Sequence, residues 1–339
     1  MKYLLLDVYI SETAHPDIRA TLASLPGFAD SLGISSIWIL GHFTSYRMVA
    51  WFAVVPFILL IPIFCYLPET PYWLIEKGYN EQAEKALQFF RSNEDIMTEF
   101  QEIQNFDDQK KSKMTKSWNQ TIKDLTSPSF IKPFSCIGVI TALTVVAGFA
   151  VLANYVSEFM EASGSDINPT IGPMAIGFIR LALAIIVPWF IRKMNPKVSF
   201  AVGQSLMALT MTCIGIYYHA YHLYLNSLYI IQVNWIPLVM FILQFCIRTI
   251  TIIPVLYSLL GELFPTEIRT LAVGITQSLE FGSGAIIVKF YPDMKYLMGL
   301  HGVCYLYASI GFFNSLWGYF TIPDNRSKTL VEIEEAYNK

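Results

Sequence analysis

One charged turn decides the fold of this chain: Leu260-Gly261-Glu262-Leu263-Phe264-Pro265-Thr266-Glu267-Ile268-Arg269. It lies between two long apolar runs, and a close copy, Ser11-Glu12-Thr13-Ala14-His15-Pro16-Asp17-Ile18-Arg19, stands near the start of the chain. Both copies place Glu seven residues before Arg, with Pro between them, an acidic residue and Ile just ahead of the Arg, and an apolar segment after it. The turn is therefore an internal repeat.

A second pair of similar segments supports the repeat. Pro68-Glu69-Thr70 ends an apolar segment about 50 residues after the first copy of the turn. Pro323-Asp324-Asn325 ends another about 50 residues after the second copy. Because two separate features recur at the same spacing, we interpret the chain as two related halves, of which the first is incomplete.

The composition is that of a multispanning membrane protein. Hydrophobic residues make up 54% of the 339 residues, charged residues make up 14%, and the mean hydropathy is +0.46. The net charge of −3 gives no indication of nucleic-acid binding. The five cysteines lie in or beside apolar runs without metal-type spacing, which indicates packing residues.

Eight segments are long enough to cross the bilayer, whose hydrocarbon core requires about 20 residues of helix. They lie at 22–41, 48–67, 134–156, 171–191, 198–218, 236–260, 270–288 and 299–322. The sequence therefore predicts an all-α membrane protein with about eight transmembrane helices.

The distribution of Lys and Arg predicts the orientation. The connection 75–133 carries nine Lys and Arg residues and the turn 192–197 carries three, whereas the connections 157–170 and 219–235 carry none. We therefore expect the first two connections, both charged turns and the C-terminus to be cytoplasmic. Lys289 and Lys295 are the exceptions, because both would lie outside.

The long connection is polar and contains one amphipathic stretch. Ala83, Ala86, Leu87 and Phe90 share a helical face, which predicts helices at the membrane surface. The predicted organisation has four parts: the remnant of an N-terminal half at 1–75, a cytoplasmic helical linker at 76–133, a six-span C-terminal half at 134–322 and a cytoplasmic tail at 323–339.

These motifs resemble those of the sugar-porter family of the major facilitator superfamily, and within it those of insect facilitated trehalose transporters. The segments that carry the resemblance are Tyr9-Ile10-Ser11-Glu12 with Arg19, Pro68-Glu69-Thr70-Pro71-Tyr72-Trp73-Leu74, Gly261-Glu262-Leu263-Phe264-Pro265 with Arg269, and Pro323-Asp324-Asn325-Arg326-Ser327-Lys328-Thr329-Leu330 with Glu334. The resemblance implies a major facilitator helical bundle of two parallel six-span halves. We therefore expect this chain to begin inside the fourth span and to lack the first three.

The repeated charges have a physical interpretation as a cytoplasmic latch. A carboxylate at the end of one helix and a guanidinium just past it can pair with neighbouring helix ends, where charge-assisted hydrogen bonds are strong. The resemblance implies that such a network holds the inner side closed. The residues expected in it are Glu12, Arg19, Glu69, Glu262 and Arg269. The alternative is that these charges only set the topology.

The expected substrate site departs from the family pattern. Aligned on Gly148 and Tyr155, the seventh span has apolar residues and Thr where the family places two Gln, a Ser and an Asn. The tenth span keeps one Pro and one aromatic residue of the family motif. The remaining candidates for a substrate cavity are Asn154, Tyr155, Gln244, Pro254, Tyr257 and Gln277.

Four charged residues fall in the middle of predicted spans: Asp30, Arg180, Arg248 and Glu280. A charge inside the bilayer is costly, so each is expected to face a partner or a wet cavity. Their depths, at about 1.5 Å of helix per residue, allow the pairs Asp30–Arg180 and Arg248–Glu280. Titration of Glu280 would couple transport to protons.

The sequence thus predicts facilitative transport of a sugar of the trehalose or hexose class by alternating access. The protein would be no enzyme and would need no cofactor, no metal and no nucleic acid. Its partners would be the sugar and the lipid bilayer, and its location the plasma membrane. The alternative hypothesis is a truncated or degenerate relative that no longer transports, acting as a sensor or arising from a partial gene.

Overall fold

The computed structural model contains helices and turns, and no strand, in the residues that it describes. These are residues 9, 13, 16–91, 96–98, 100, 101, 103–105, 128–164, 168, 170–190, 195–223, 234–262 and 269–322. The prediction of an all-α protein is confirmed.

Eleven helices and two π-helical turns have their bounds within this part of the chain, and residues 9, 13, 96–98, 100, 101 and 103–105 are helical as well. The helices are α1 (Pro16–Phe43), α2 (Tyr46–Tyr66), α3 (Pro71–Glu76), α4 (Asn80–Phe90), α5 (Pro128–Thr144), α6 (Ala150–Ala162), α7 (Ile171–Phe190), α8 (Pro196–Leu223), α9 (Ile236–Ile247), α10 (Ile253–Glu262) and α11 (Arg269–Thr321). One π-helical turn, Val145–Phe149, joins α5 to α6, and the other, Arg248–Ile252, joins α9 to α10.

Four helical runs of the described chain are long and apolar enough to cross a membrane. They are Phe130–Ala162, Pro196–Leu223, Ile236–Leu260 and Leu271–Thr321. Shorter apolar helices are Ser31–Phe43, Tyr46–Pro62 and Ile171–Leu183. To within a residue, all eight predicted segments fall on helices α1, α2 and α5 to α11.

Residues 289–298, which separate the last two predicted segments, are helical. Helix α11 continues through these residues, and its backbone departs from helical angles at Gly299, with φ 71° and ψ 168°. The side chains of this stretch are engaged with α6: Tyr291 is 1% exposed, and Nζ of Lys295 lies 2.5 Å from Oε1 of Glu158. Because packing and an ion pair hold the stretch, it stays helical although it carries charges.

The chain divides into two compact units. One comprises residues 1–30 and 44–124, and the other comprises 31–43 and 125–339. Within the second unit α1 packs on α7, since a Cβ placed on Gly177 would lie 3.3 Å from the carbonyl oxygen of Ser35. The four predicted domain boundaries stay predictions.

The first unit contains the predicted amphipathic helix. Ala83, Ala86 and Leu87 of α4 are buried against Leu74 and Ile75 of α3, which confirms the predicted face. Helix α3 begins with Pro71. The hydroxyl of its N-cap residue, Thr70, accepts a hydrogen bond of 3.2 Å from the backbone N–H of Trp73. Beyond the end of α4, Nη1 of buried Arg91 donates to the carbonyl oxygen of Thr13 at 2.9 Å.

Small residues let α8 and α11 approach closely in the second unit. A Cβ on Gly311 would lie 3.0 Å from the Cβ of Ala208. One turn further along α11, the hydroxyl of Ser315 donates to the carbonyl oxygen of Ala201 at 2.7 Å. Van der Waals contact and hydrogen bonds between backbones brought close by small side chains are the usual basis of helix association in lipid.

The run from α5 to α6 is broken at Gly148. This residue has φ 98°, and a Cβ on it would overlap the ring of Tyr307 and lie 3.0 Å from Cε of Met211. Just before the break, the Thr144 hydroxyl donates to the carbonyl oxygen of Ile140 at 2.8 Å, a bond that tends to bend helices. Backbone angle and space therefore both require glycine here.

We predict that Gly148→Ala lowers the free energy of unfolding by about 2 kcal/mol or more, because a side chain at positive φ is strained and its Cβ meets the Tyr307 ring. The matched control is Gly282→Ala, in the interior of α11 with nothing within 4 Å of its Cβ position. That change should be neutral or slightly stabilising. The measurement is the melting temperature of both variants in the same detergent. Equal melting temperatures would contradict the requirement for glycine at position 148.

Candidate functional site

Phe149 and Arg248, one from each π-helical turn, are in contact. The guanidinium carbon of Arg248 lies 3.9 Å from the centre of the Phe149 ring, a cation–π contact. In the second turn, the hydroxyls of Thr249 and Thr251 donate to carbonyl oxygens of the preceding turn at 2.8 and 2.7 Å. Hydroxyls that bond to the backbone in this way promote irregular helical turns.

Arg248 also faces Glu280 of α11. Nη2 of Arg248 lies 3.8 Å from Oε1 of Glu280, and the two side chains are 10% and 23% exposed. The predicted proximity of this pair is confirmed. The distance is long for a direct hydrogen bond, so the attraction is mainly that of two charges in a poorly polar setting. A role for the pair in transport stays a prediction.

A row of aromatic rings runs from the Arg248–Glu280 ion pair to Trp38. This residue is near the C-terminal end of α1, on the side of the connection 157–170. The Phe149 ring packs on Phe245 with centroids 5.1 Å apart, and Phe245 packs edge to face on Trp38 at 5.5 Å. Phe245 is 3% exposed, so the middle of the row is buried. These contacts fix the orientation of Trp38, because edge-to-face pairs are the favoured arrangement of aromatic rings.

Trp38 lines a cavity of about 200 Å³ in the second unit. The cavity lies between α1, α6 and the beginning of α7, and its lining includes Ile37, Trp38, Asn154, Val156, Ser157 and Thr170. Asn154 is exposed, and its Nδ2 donates to the carbonyl oxygen of Ala150 at 2.7 Å. An indole ring and several polar groups thus line one concave space.

The six predicted cavity residues are spread over several environments. Asn154 lines the cavity, whereas the Tyr155 ring packs on Tyr291 with centroids 4.5 Å apart. Gln244 is 1% exposed and accepts a hydrogen bond from the Thr210 hydroxyl of α8. The remaining three are Pro254 and Gln277, which are half-buried, and Tyr257, whose side chain lies outside the described residues.

The predicted latch falls largely outside the described part of the chain. Glu12 is outside it, as are the side chains of Arg19, Glu262 and Arg269, while Glu69 is described and exposed. The side chain of Asp30 is likewise outside it, and Arg180 is half-buried in α7. The latch and the Asp30–Arg180 pair stay predictions.

Two features of the site are missing from the sequence predictions. One is the polar group at the beginning of α7: Nδ1 of His42 lies 2.6 Å from Oγ1 of Thr170, which bonds to Oδ1 of Asn168 at 2.8 Å. The other is the ion pair of Glu158 with Lys295. Lys295 breaks the expected charge distribution, and that exception is the sequence signal of a nearby carboxylate.

The described residues contain no group of three or more His, Cys, Asp and Glu side chains placed to hold a metal ion. His219 and His222 are exposed at the end of α8. The ring of His219 lies 4.9 Å, centre to centre, from that of His301 on α11.

Sequence comparison identifies one family over nearly the whole chain. The family model described as "Sugar (and other) transporter" matches residues 1–337. Over 335 residues, 98% of the chain, the facilitated trehalose transporters Tret1 of Drosophila virilis and Drosophila mojavensis are 26% and 25% identical to it. The chain spans 36% and 38% of the length of these two relatives. It spans 67% of the Tret1-2 homolog of Drosophila simulans, at 24% identity.

Solved structures with the same fold include the xylose transporter XylE from E. coli. Its inward-open conformation gives a TM-score of 0.75 at 20% identity, covering 97% of this chain and 68% of XylE. The proton:xylose symporter XylE bound to 6-bromo-6-deoxy-D-glucose gives 0.69 at 22% identity, covering 99% and 70%. At such identities the likeness shows the major facilitator fold alone. With the family match over residues 1–337, it follows that the chain belongs to the sugar transporter family of the major facilitator superfamily, whose members are integral, multi-pass membrane proteins.

Proposed function

We propose that this protein carries a neutral sugar of the trehalose or hexose class across the membrane by alternating access, without a cofactor. The observation that supports it best is the helical run broken at Gly148, whose later part, α6, lines a cavity that has both an aromatic ring and uncharged polar groups. Irregular backbone at membrane depth is tolerated where it is packed in protein or lines a cavity, and discontinuous helices commonly form transporter sites. The family match and the names of the relatives point the same way.

The proposal places the protein in the plasma membrane, with the connection 75–133 and the C-terminus in the cytoplasm. The support is the charge distribution, in which nine Lys and Arg residues lie in that connection. The pairing of Lys295 with Glu158 weakens one of the two exceptions, because a paired lysine adds little net charge to its side of the membrane.

We expect Ser117→Cys, in the connection 75–133, to react with a membrane-impermeant maleimide only after cells are permeabilised. The control is Ser165→Cys, in the connection 157–170, which should react in intact cells. Both are made in a background without the five native cysteines. The reverse pattern of labelling would overturn the orientation.

The transport proposal is tested by uptake of labelled D-glucose and trehalose into cells that lack their own carriers for these sugars. We expect saturable uptake that depends on the protein and excludes L-glucose, because hydrogen-bonded recognition of hydroxyls is stereospecific. Normal surface expression without any such uptake would instead favour a relative that does not transport.

Proton coupling through Glu280 is the finer part of the proposal. Its support is the placement of a carboxylate beside Arg248 in a mostly buried position, together with the description of XylE as a proton symporter. Glu280→Gln keeps the size of the side chain but cannot ionise, so sugar uptake should lose its dependence on external pH. The matched control is Asp293→Asn, an exposed carboxylate on the same helix, which should keep that dependence. Unchanged pH profiles in both variants would exclude the coupling role.

The latch is proposed to act at the cytoplasmic end, with Glu12, Arg19, Glu69, Glu262 and Arg269 as its members. We expect Arg269→Ala to leave insertion intact but to raise the labelling rate of cysteines placed on the cytoplasmic side of the transport path, because its carboxylate partners lose a counter-charge. The control is Arg192→Ala, a basic residue in another predicted cytoplasmic turn, outside the repeat. Equal labelling rates in the two variants would count against the latch.

A further inference from the structure

The cavity at Trp38 has a composition that selects its ligand. Its lining consists of apolar, amide, hydroxyl and indole side chains and, among the residues that the structure describes there, includes no charged one. A charged ligand would therefore leave its charge without a partner, which is unfavourable away from water. The cavity suits a neutral ligand with both a hydrogen-bonding and an apolar surface.

Trp38 supplies an aromatic surface held in one orientation. Its indole is half-buried and rests edge to face on Phe245, with an angle of 88° between the rings. The face of an aromatic ring carries partial negative charge and attracts the weakly positive C–H groups of an apolar surface. In a pyranose ring such C–H groups lie together on one face, whereas in an open-chain polyol they do not.

Thr170 supplies a hydrogen-bond acceptor whose direction is set by its neighbours. Oδ1 of Asn168 accepts from both the backbone N–H and the hydroxyl of Thr170, at 3.1 and 2.8 Å. A threonine hydroxyl has one hydrogen, and it is used in this bond. The contact of 2.6 Å between Nδ1 of His42 and Oγ1 of Thr170 therefore has His42 as the donor. One lone pair of Oγ1 therefore remains to accept a hydrogen bond from a hydroxyl group of a ligand. His42 is a positioning residue, because it orients this acceptor.

Asn154 and Ser157 supply the complementary groups from α6. They lie three residues apart, on one face of the helix, and both line the cavity. One N–H of the Asn154 amide goes to the carbonyl oxygen of Ala150, so the second N–H and Oδ1 are the groups that it can offer a ligand. The cavity thus combines a donor, acceptors and a hydroxyl that can do either.

We propose that this cavity binds one pyranose ring of a neutral sugar, with Trp38 against the C–H face of the ring and with Asn154, Ser157 and Thr170 on its hydroxyls. The volume of about 200 Å³ is below the range of about 300–1,000 Å³ usual for drug-sized ligands, which favours a ligand portion the size of one sugar ring. This inference rests on the proposed sugar transport and adds a subsite to it. Trehalose would then place one of its two rings here.

The test is protection of a cysteine by sugar in the purified full chain. Ala153→Cys, a half-buried lining position without a proposed contact to the sugar hydroxyls, is made in a background without native cysteines and labelled with a maleimide in the presence of D-glucose, trehalose or mannitol. We expect D-glucose and trehalose to slow labelling severalfold and mannitol, which has the hydroxyls but no ring, to leave it unchanged. The control is Ser309→Cys, an exposed position on α11 outside the cavity, where no sugar should alter the rate.

The aromatic contact is tested in the same labelled protein. Trp38→Ala should abolish the protection and Trp38→Phe should retain most of it, since a phenyl ring keeps the face. Trp317→Ala removes another partly exposed indole, outside the cavity, and should leave the protection intact. His42→Ala should weaken the protection severalfold by freeing Thr170, and His42→Gln, which keeps a donor, should restore part of it.

The outcomes separate this subsite from transport itself. Sugar uptake by cells together with no protection at position 153, or with equal protection after Trp38→Ala, would overturn the subsite and leave the proposed function standing. Protection that needs Trp38, in a protein without sugar uptake, would support the subsite and overturn the transport proposal. Absence of both protection and uptake would overturn both.

Discussion

A polar group inside a bilayer has no water to bond with, so it must find its partner within the protein. Most polar side chains in the described spans follow this constraint. Arg248 rests on the Phe149 ring and faces Glu280, and the Gln244 amide meets the Thr210 hydroxyl of a neighbouring helix. The side chain of Asn314 reaches the hydroxyl of Thr144 at 2.9 Å. Polar contacts therefore join α11 to α5, α11 to the second π-helical turn and α8 to α9, where an apolar core would carry no preference for one partner over another.

Several buried side chains in the described spans depart from this constraint, and Gln204 is the one in which both polar atoms do so. Gln204 of α8 is 0% exposed, and within the described chain neither atom of its amide has a hydrogen-bond partner. Burying an unpaired amide costs about 1–3 kcal/mol in proteins. The side chain is packed where α8 approaches α11, near Gly311, so that contact carries a cost that the small residues around it must offset.

The sequence predicted the class, the spans and the Arg248–Glu280 contact because each depends on a pattern that is local to the chain. Apolar length identifies a span, and the number of residues between a charge and the end of its helix gives its depth. The break at Gly148 and the position of the Tyr155 ring could not be predicted from the sequence. They depend on Tyr307 and Tyr291, which are more than 100 residues away in the chain. Trp38 was missed for the same reason, since an aromatic residue in an apolar run looks the same whether it faces lipid or a cavity.

The two π-helical turns also change how the helices on either side of them correspond. A π turn adds one residue to an α-helix, and one residue is about 100° of rotation. Consider one residue before Val145 and one after Phe149 that would lie on the same face of a continuous α-helix. Because of the π turn between them, their side chains point in different directions. A single-residue deletion in either turn would rotate α6 or α10 by that angle and send Asn154 or Pro254 to another side of its helix. Homologous sequences aligned without gaps through these turns would pair residues that face different neighbours. Relatives are therefore expected to differ here by insertion or deletion of a single residue.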